Sequence, residues 1–434
     1  MTGERIHSET WSLCPVCLKR LPAIRMVRGR EIFLRKRCPS HGLFETVIWR
    51  GFLDFNEWTG GLPGNRTEEP PCNDACGLCP DHLQQTCCVI LDITGRCNLE
   101  CSVCFADPGR GREDPPLSAI RASLEKLVEK GKTLVQLSGG EPTVRDDLPE
   151  IVAAAKEVGA KYVQLNTNGL RLATDRELAG RLALAGLSFV FLQFDGTEEP
   201  IHQQIRNRPL LDIKRKVIER CADANLGVTL VPTLIRGVNT HNIGEIIRFA
   251  VDQSPAVRGV HFQPVTYLGR VTALPSDNDR FTLDELIREI VRQTEGIIAA
   301  PNLLPSCCDH PLCGFHGDFV VHNGNLVPLL AKKETSSACC CTPAPADKNR
   351  EFVARRWQRP VGKEEGEVVT GDDLRDMEVF LHHVRNHGFT LTAMAFQDAG
   401  NIDLARLRHC SLHVYDDGRL VPFCSYFLTP WKDH

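Results

Sequence analysis

From residue 86 to about 270 the chain alternates between strand-like and helix-like segments, and this limits the available folds more than any other feature. The strand patterns are CCVILDIT, TLVQLSGG, YVQLNTNG, LSFVFLQFDG, GVTLVPTLIRG and GVHFQPVTYLG. Helical patterns such as LSAIRASLEKLVEKG at 117–131 and DDLPEIVAAAKEVGA at 146–160 lie between them, with apolar residues every three or four positions. Successive βα units demand a parallel sheet with right-handed crossovers. Six such units predict an α/β fold built on a partial (β/α)6 barrel, short of the eight-stranded form. Chemistry in barrels gathers at the carboxyl ends of the strands. The polar and glycine signals fall there: SGGEPT, NTNG, QFDG, TLIRGVN and FQPVTYLGR.

The chain has 434 residues, more than one ordinary core absorbs, so smaller attachments are expected on the barrel. A net charge of −4 gives no field that would draw it onto nucleic acid, and no nucleic-acid partner is expected. No apolar run approaches the roughly 18 residues of a membrane span. The stretch MTGERIHSET lacks the apolar centre of a secretory signal, which predicts a cytoplasmic protein. Twenty cysteines are many for that compartment. Disulfides are disfavoured there, so clustered thiols argue for metal. Cys221 stands alone in a helical pattern and is expected to be packed.

The first group is Cys14, Cys17, Cys38 and His41, two knuckles of C-x2-C and C-x2-H beside Pro or Gly. Their donor set suits a tetrahedral zinc or a single iron, and spacing does not separate the two. A linker rich in Gly, Pro and Glu follows. Next come Cys72, Cys76, Cys79 and Cys87, four thiolates within CNDACGLCPDHLQQTC, as a cubane iron–sulfur cluster needs. Zinc is the competing reading, and Cys88 is an alternative to Cys87. The C-terminal cysteines are Cys307, Cys308, Cys313, the run Cys339, Cys340, Cys341, and then Cys410 and Cys424. Between the last two, YDDGRL reads as a hairpin turn. These groups divide the chain into a metal-binding knuckle (1–50), a linker with an auxiliary cluster (51–85), the barrel (86–272) and a C-terminal iron–sulfur region (273–434).

The first barrel strand runs into Cys97, Cys101 and Cys104, spaced C-x3-C-x2-C with no fourth cysteine nearby. Three thiolates hold three corners of a [4Fe–4S] cube and leave one iron open to a ligand. Open positions mark catalytic metals. CNLECSVCF at 97–105, followed after one βα unit by SGGEPT at 138–143, resembles the radical S-adenosylmethionine (SAM) superfamily. The resemblance implies that the open iron chelates the methionine of SAM and that one electron cleaves the sulfonium. The resulting 5′-deoxyadenosyl radical then abstracts hydrogen from a substrate. The superfamily often has an aromatic residue before the third cysteine; here Val103 stands there and Phe105 follows.

Gly139 and Gly140 let backbone approach the methionine moiety closely, and the resemblance sets this stretch, with Glu141, at the SAM amino group. Asn166 and Asn168 are candidates for the SAM carboxylate or ribose. Gln193 and Asp195 point from the mouth of the fourth strand, Asp195 towards a ribose hydroxyl or polar substrate group. Thr233 and Arg236 lie where a carboxylate or phosphate would be gripped. Gln263 is polar within an apolar strand, as a pocket residue would be. His202 and Arg206 share a helical face and read as exposed.

The order of knuckle, four-cysteine group, CNLxCxVCFA, GGEPT, QFDG, VPTLIRGVN, DHPLC and GRLVPFCSY resembles one branch of that superfamily. It contains tetraether lipid synthases and radical SAM methylases proposed to act on pterins. The resemblance implies one or two auxiliary [4Fe–4S] clusters. One would be held by Cys308, Cys313, Cys410 and Cys424, with Cys307 as an alternative to Cys308. It also implies a small-molecule or lipid-like substrate and a reducing partner such as flavodoxin or ferredoxin. The outcome implied is carbon–carbon coupling or methylation at an unactivated carbon. Cys339–Cys341 leave open modification of a thiol- or selenium-containing molecule, and an electron-transfer protein without SAM turnover is the remaining alternative.

Overall fold

The computed structural model describes residues 3–60, 82–106, 113–270, 275–329, 346–359 and 372–431. Cys72, Cys76, Cys79 and Cys339–Cys341 lie outside the described residues.

The chain begins with a four-stranded antiparallel meander: β1 (Arg5–Leu13), β2 (Arg20–Arg28), β3 (Glu31–Cys38) and β4 (Gly42–Trp49). In a meander the first and third turns emerge at the same end, which brings the two knuckles together. A short helix α1 (Phe55–Thr59), capped by Asp54, packs Phe55 and Trp58 against Trp49. The ribbon docks onto the rest of the chain through buried polar bonds. Asp403 accepts from Thr10 Oγ1 at 2.7 Å and from Arg25 Nη2 at 2.6 Å, while Lys36 donates to the Ala399 carbonyl at 2.9 Å.

All six expected barrel strands are present: β5 (Cys88–Thr94), β6 (Leu134–Gly139), β7 (Tyr162–Thr167), β8 (Phe189–Gln193), β9 (Gly227–Val231), with a short continuation β10 (Thr233–Leu234), and β11 (Val257–Pro264). The intervening helices are α2 (Leu117–Glu129), α3 (Leu148–Glu157), α4 (Leu170–Thr174), α5 (Leu178–Leu184), α6 (Glu199–Arg206), α7 (Leu211–Asp223) and α8 (Ile243–Asp252). The fold is a partial barrel of parallel strands that does not close among the described residues.

The residues after 272 contribute more than the irregular extension the sequence suggested. They form α9 (Leu283–Gln293), β12 (Leu304–Pro305), β13 (Gly314–His322), β14 (Asn325–Pro328), α10 (Ala346–Trp357), α11 (Asp372–His387), β15 (Gly388–Met394), α12 (Leu404–Arg408), β16 (Leu412–Asp416), β17 (Arg419–Pro422) and α13 (Phe423–Tyr426). β15 pairs parallel to β11 and β16 parallel to β5, so a parallel strand is added at each margin. β13 then runs antiparallel beside β15, and β17 closes a hairpin with β16. That hairpin turns at Asp417 and Gly418, both with positive φ, as the Asp-Gly pair predicts.

Side chains alternate across the strands. The outward residues are apolar: Val135 and Leu137, Val163 and Leu165, Val190 and Leu192 share a core with Ile120, Leu124 and Ile151 of the helices. The inward residues are mixed: Gln136 and Ser138, Gln164 and Asn166, Phe191 and Gln193, His261 and Gln263. Helix α10 closes the amino-terminal end. Its Ala354 and Trp357 pack on Leu134, Tyr162 and Phe189, and its Arg350 donates to the carbonyls of Thr86 and Cys87.

Candidate active site at the carboxyl end of the sheet

Cys97, Cys101 and Cys104 sit on the loop leaving β5 and line a cavity of about 530 Å³ inside the half-barrel. Burial pushes the Cys97 thiol up to about 11, as befits a thiol grouped with others and lacking a counter-charge. The cysteine loop is held from both sides. Arg96 and Thr94 both engage Asp114, at 2.5 and 2.6 Å. On the far side the Arg270 amide donates to the Cys104 carbonyl at 2.9 Å. Phe105 rests edge-on against Phe423 and Phe427, so the displaced aromatic anchors this loop to helix α13 and the residue that caps it.

The glycines of SGGE have a reason the sequence did not reveal. A Cβ on Gly139 would lie 2.2 Å from the Thr94 carbonyl oxygen, and one on Gly140 2.1 Å from that of Arg96. Gly139 also has φ 119°. The Gly140 and Glu141 amides donate to those same two oxygens, at 2.9 and 2.8 Å. The close approach is therefore to the start of the cysteine loop. Glu141 is 2% exposed and accepts from the Thr143 amide, Thr167 Oγ1 and the Asn168 amide at 3.0, 2.7 and 2.6 Å. Its carboxylate ties the ends of β6 and β7 together.

Glu141 still borders the cavity, as do Gly139, Gly140, Asn166, Asn168, Gln193, Thr233 and Gln263. Asn168 is drawn to the cysteine loop by its bond to Asn98 Oδ1 at 2.7 Å. Asp195 behaves differently from expectation. It is fully buried behind the wall and accepts both Nε and Nη2 of Arg206 at 2.8 Å, plus the Thr233 amide at 3.1 Å. Burial alone would raise its carboxyl, but Arg206 holds it below the usual range. With its oxygens engaged, Asp195 positions Arg206, and Arg206 faces the cavity beside Cys101.

His202 and Arg206 are accordingly buried, contrary to the exposed reading, because α6 turns that face onto the segment that follows β8, where His202 bonds the Gly196 carbonyl and Arg206 pairs with Asp195. Lys214 is also fully buried. It donates to the Asn168 carbonyl at 2.6 Å, and burial pushes its amine down to about 7 against the pull of Asp195. Arg236 does not reach the cavity; it pairs with Glu285 of α9 at 2.6 Å. Gln136, Gln164, His261, His316 and Asp318 line the cavity without having been singled out. The signal was present: VQLS, VQLN and VHFQ alternate polar and apolar residues, which a sheet buried in oil on both faces would not do.

Among the described residues, Cys87, Cys88 and the C-terminal cysteines fall into two places. Cys87 and Cys88 border the main cavity with Cys307 and Cys308, and Cys308 lies beside Cys87. Cys313, Cys410 and Cys424 instead surround a void of about 20 Å³ together with Asp309 and Arg406. Of the four expected to form one C-terminal site, Cys313, Cys410 and Cys424 surround this void, while Cys308 borders the main cavity beside Cys87. Arg406 Nη2 lies 3.5 Å from Cys313 Sγ, and the Gln397 amide donates to Cys424 Sγ at 3.3 Å. Burial drives the Cys424 thiol up to about 12. Cys221 is buried in the helix–sheet core.

In the ribbon, the ligand atoms of Cys14, Cys17, Cys38 and His41 all lie within 4.8 Å of one another, with His41 Nδ1 at 3.5 and 3.4 Å from Cys14 and Cys38 Sγ. That is a closed four-ligand set for one metal ion. Among the described residues no helix is long and apolar enough to cross a membrane.

Residues 91–250 match the radical SAM superfamily model, and residues 6–50 match a zinc ribbon domain described as the HMPTM N-terminal zinc ribbon. A 7,8-dihydro-6-hydroxymethylpterin dimethyltransferase of Methanocaldococcus jannaschii is 31% identical over 493 residues, spanning 97% of this chain and 93% of the relative. An Fe-coproporphyrin III synthase of Methanosarcina barkeri is 30% identical over 54% of this chain and 60% of its own length. Among solved structures, Streptococcus suis SuiB bound to its precursor peptide aligns over 50% of this chain and 48% of its own, with a TM-score of 0.42 and 16% identity. Radical SAM enzymes carry a [4Fe–4S] cluster and SAM, and the three-thiol loop above a glycine-lined cavity is a donor set that fits both. On that near full-length likeness, this chain belongs to the radical SAM superfamily and is an enzyme.

Proposed function

We propose that this enzyme methylates a pterin-like bicyclic heterocycle, and that the observation carrying this reading is the lumen itself. Its walls are carbon at Phe191, Val231 and Trp357, interrupted by the amides of Gln136, Gln164 and Gln263 and by His261. Few-polar-group pockets of this size suit a flat small molecule. A hydrocarbon chain would bury the amides of Gln136 and Gln263 against carbon at a cost of about 1–3 kcal/mol each, which disfavours a lipid-like substrate. The near full-length similarity to a pterin dimethyltransferase supports the same choice.

The cluster and SAM, when bound, supply one-electron cleavage of the sulfonium and a carbon radical able to take hydrogen from an unactivated carbon. The protein's part is positional. Cys97, Cys101 and Cys104 would hold three irons. Gly139 and Gly140 keep the loop flush with the cavity wall, and Asn166, Asn168, Gln193, Thr233 and Arg206 offer donors and acceptors to the cofactor. His261 donates or accepts as a neutral imidazole, since burial pushes it down to about 4. Cys72, Cys76 and Cys79 with Cys87, and Cys313, Cys410 and Cys424 with one further ligand, would hold auxiliary clusters that pass electrons from a flavodoxin- or ferredoxin-like donor. The ribbon would hold zinc or a single iron.

The test is anaerobic. Iron-loaded enzyme receives dithionite, 6-hydroxymethyl-7,8-dihydropterin and SAM as radical source, with the methyl group supplied by further SAM or, in a parallel arm, by a reduced folate-class one-carbon carrier, and with Cys97→Ala as control. The reading requires 5′-deoxyadenosine and a methylated pterin, both absent in the control. Uncoupled 5′-deoxyadenosine with no change in pterin mass, whatever methyl donor is supplied, would remove it.

A further inference from the structure

Asp318 sits on β13, where Phe319 packs outward into the core while His316 and Asp318 border the lumen. Its carboxylate is unusual in this cavity. The residue is 3% exposed, Oδ2 accepts Arg356 Nη2 of the floor helix α10 at 2.7 Å, and Oδ1 is buried with no hydrogen-bond partner. Buried carboxylate oxygens are rarely left unpaired in native proteins, and those that are call for an explanation. Burial raises the Asp318 carboxyl, while Arg356 opposes this.

The register sets what surrounds the side chain. Asp318 lies opposite Thr390 and, one strand further, Gly259. His316, Thr392 and His261 form the parallel row above it, nearer the mouth. Gly259 presents no side chain, and a Cβ there would collide with the Thr390 carbonyl at 2.4 Å. The Thr390 hydroxyl is fixed by Trp357 Nε1 at 3.0 Å. Asp318 is thus the anionic acceptor at the base of a slot with an aromatic wall. The same cavity reaches the three cysteines at the opposite end.

We propose that Asp318 is the substrate-recognition carboxylate, accepting the 2-amino and N3 hydrogens of a 2-amino-4-oxopyrimidine ring held with its other edge towards the mouth. The proposal rests on the pterin reading above and deepens it. A carboxylate has about four lone-pair sites, so once a modest turn of the side chain brings Oδ1 out of its buried position, Oδ1 and the free site on Oδ2 accept two parallel N–H groups beside Arg356. The paired geometry discriminates, because an analogue with oxygen at position 2 sets acceptor against acceptor, and an N3-methyl analogue removes one donor.

The experiment measures binding of three pteridines to the anaerobic, iron-loaded full chain. They are 6-hydroxymethylpterin, its 2-oxo counterpart and its N3-methyl derivative. Wild type should prefer the 2-amino ligand on the order of a hundredfold over either analogue. Asp318→Asn, which presents an amide donor, should invert the preference towards the 2-oxo ligand, a reversal that a structural defect would not produce. If wild type binds the pteridines without discrimination, or Asp318→Asn keeps the wild-type order, the assignment of Asp318 is wrong while the pterin reading survives. If SAM binds and no pteridine does, the pterin reading fails and takes this assignment with it. Should Asp318→Asn not fold, the wild-type comparison alone decides.

Discussion

Gly140→Ala separates two roles for the SGGE glycines. The structure places the new methyl 2.1 Å from the Arg96 carbonyl oxygen and 2.7 Å from its carbon. Both are backbone atoms, so no rotamer relieves the clash. Reaching ordinary contact moves one backbone by more than an ångström and breaks the amide bonds from Gly140 to Thr94 and from Glu141 to Arg96. Two such bonds are worth about 2 kcal/mol, and overpacking adds about 1–3 kcal/mol, for a loss of about 3–5 kcal/mol. Cys97 follows Arg96 directly, so its thiol moves with the loop. Denaturant unfolding and iron content, both measured without SAM, read the effect. Gly180→Ala, in helix α5 with nothing near its added methyl, serves as the control and should be neutral or gain up to about 1 kcal/mol. If Gly140→Ala keeps its iron and stability and loses only SAM binding, the glycine serves the ligand and the argument from the loop is wrong.

Asp195→Asn leaves the buried Arg206 guanidinium without its anion and should cost about 3–5 kcal/mol in denaturant unfolding. Asp195→Asn with Arg206→Met should recover much of that stability, and no recovery would contradict the pairing. His261 has its pKa pushed down by burial to about 4, so the unfolded chain binds more protons between that value and about 6.5. Stability should therefore fall as pH drops through that window, by about 3 kcal/mol in full; His261→Gln should flatten the slope, and an unchanged slope would refute the assignment. Cys38→Ser should release the ribbon metal, read by elemental analysis, and speed hydrogen exchange in β1–β4 while leaving the barrel strands protected. Metal retained at the wild-type level would show that Cys38 is not a ligand.

Much of the site was legible because its signals are local. The C-x3-C-x2-C loop, the glycines, and the polar residues at strand ends are short-range patterns, and all but Asp195 and Arg236 border one cavity. Asp195 was misjudged, and the interior bonds of Glu141 were not foreseen, for one reason. A carboxylate at a strand end looks free in sequence, but Arg206 lies eleven residues on and Thr167 a whole βα unit on. Arg206 was read as exposed because α6 alone does not reveal which of its faces meets the segment after β8.

The sequence alone determined the βα repeat, the hairpin at Asp417–Gly418, the paired knuckles and the three-thiol loop. Each depends on side-chain period or on spacing within a few residues. Tertiary structure alone decided that residues after 272 supply two margins of the parallel sheet and its floor. It also separated Cys308 from Cys313, Cys410 and Cys424, and it set Asp318 at the base of the lumen. These depend on pairings between segments tens to hundreds of residues apart. The chain between such segments carries no record of which edge they will find. That choice is made by hydrogen-bonding strands at open sheet edges and by burying apolar faces once the barrel exists.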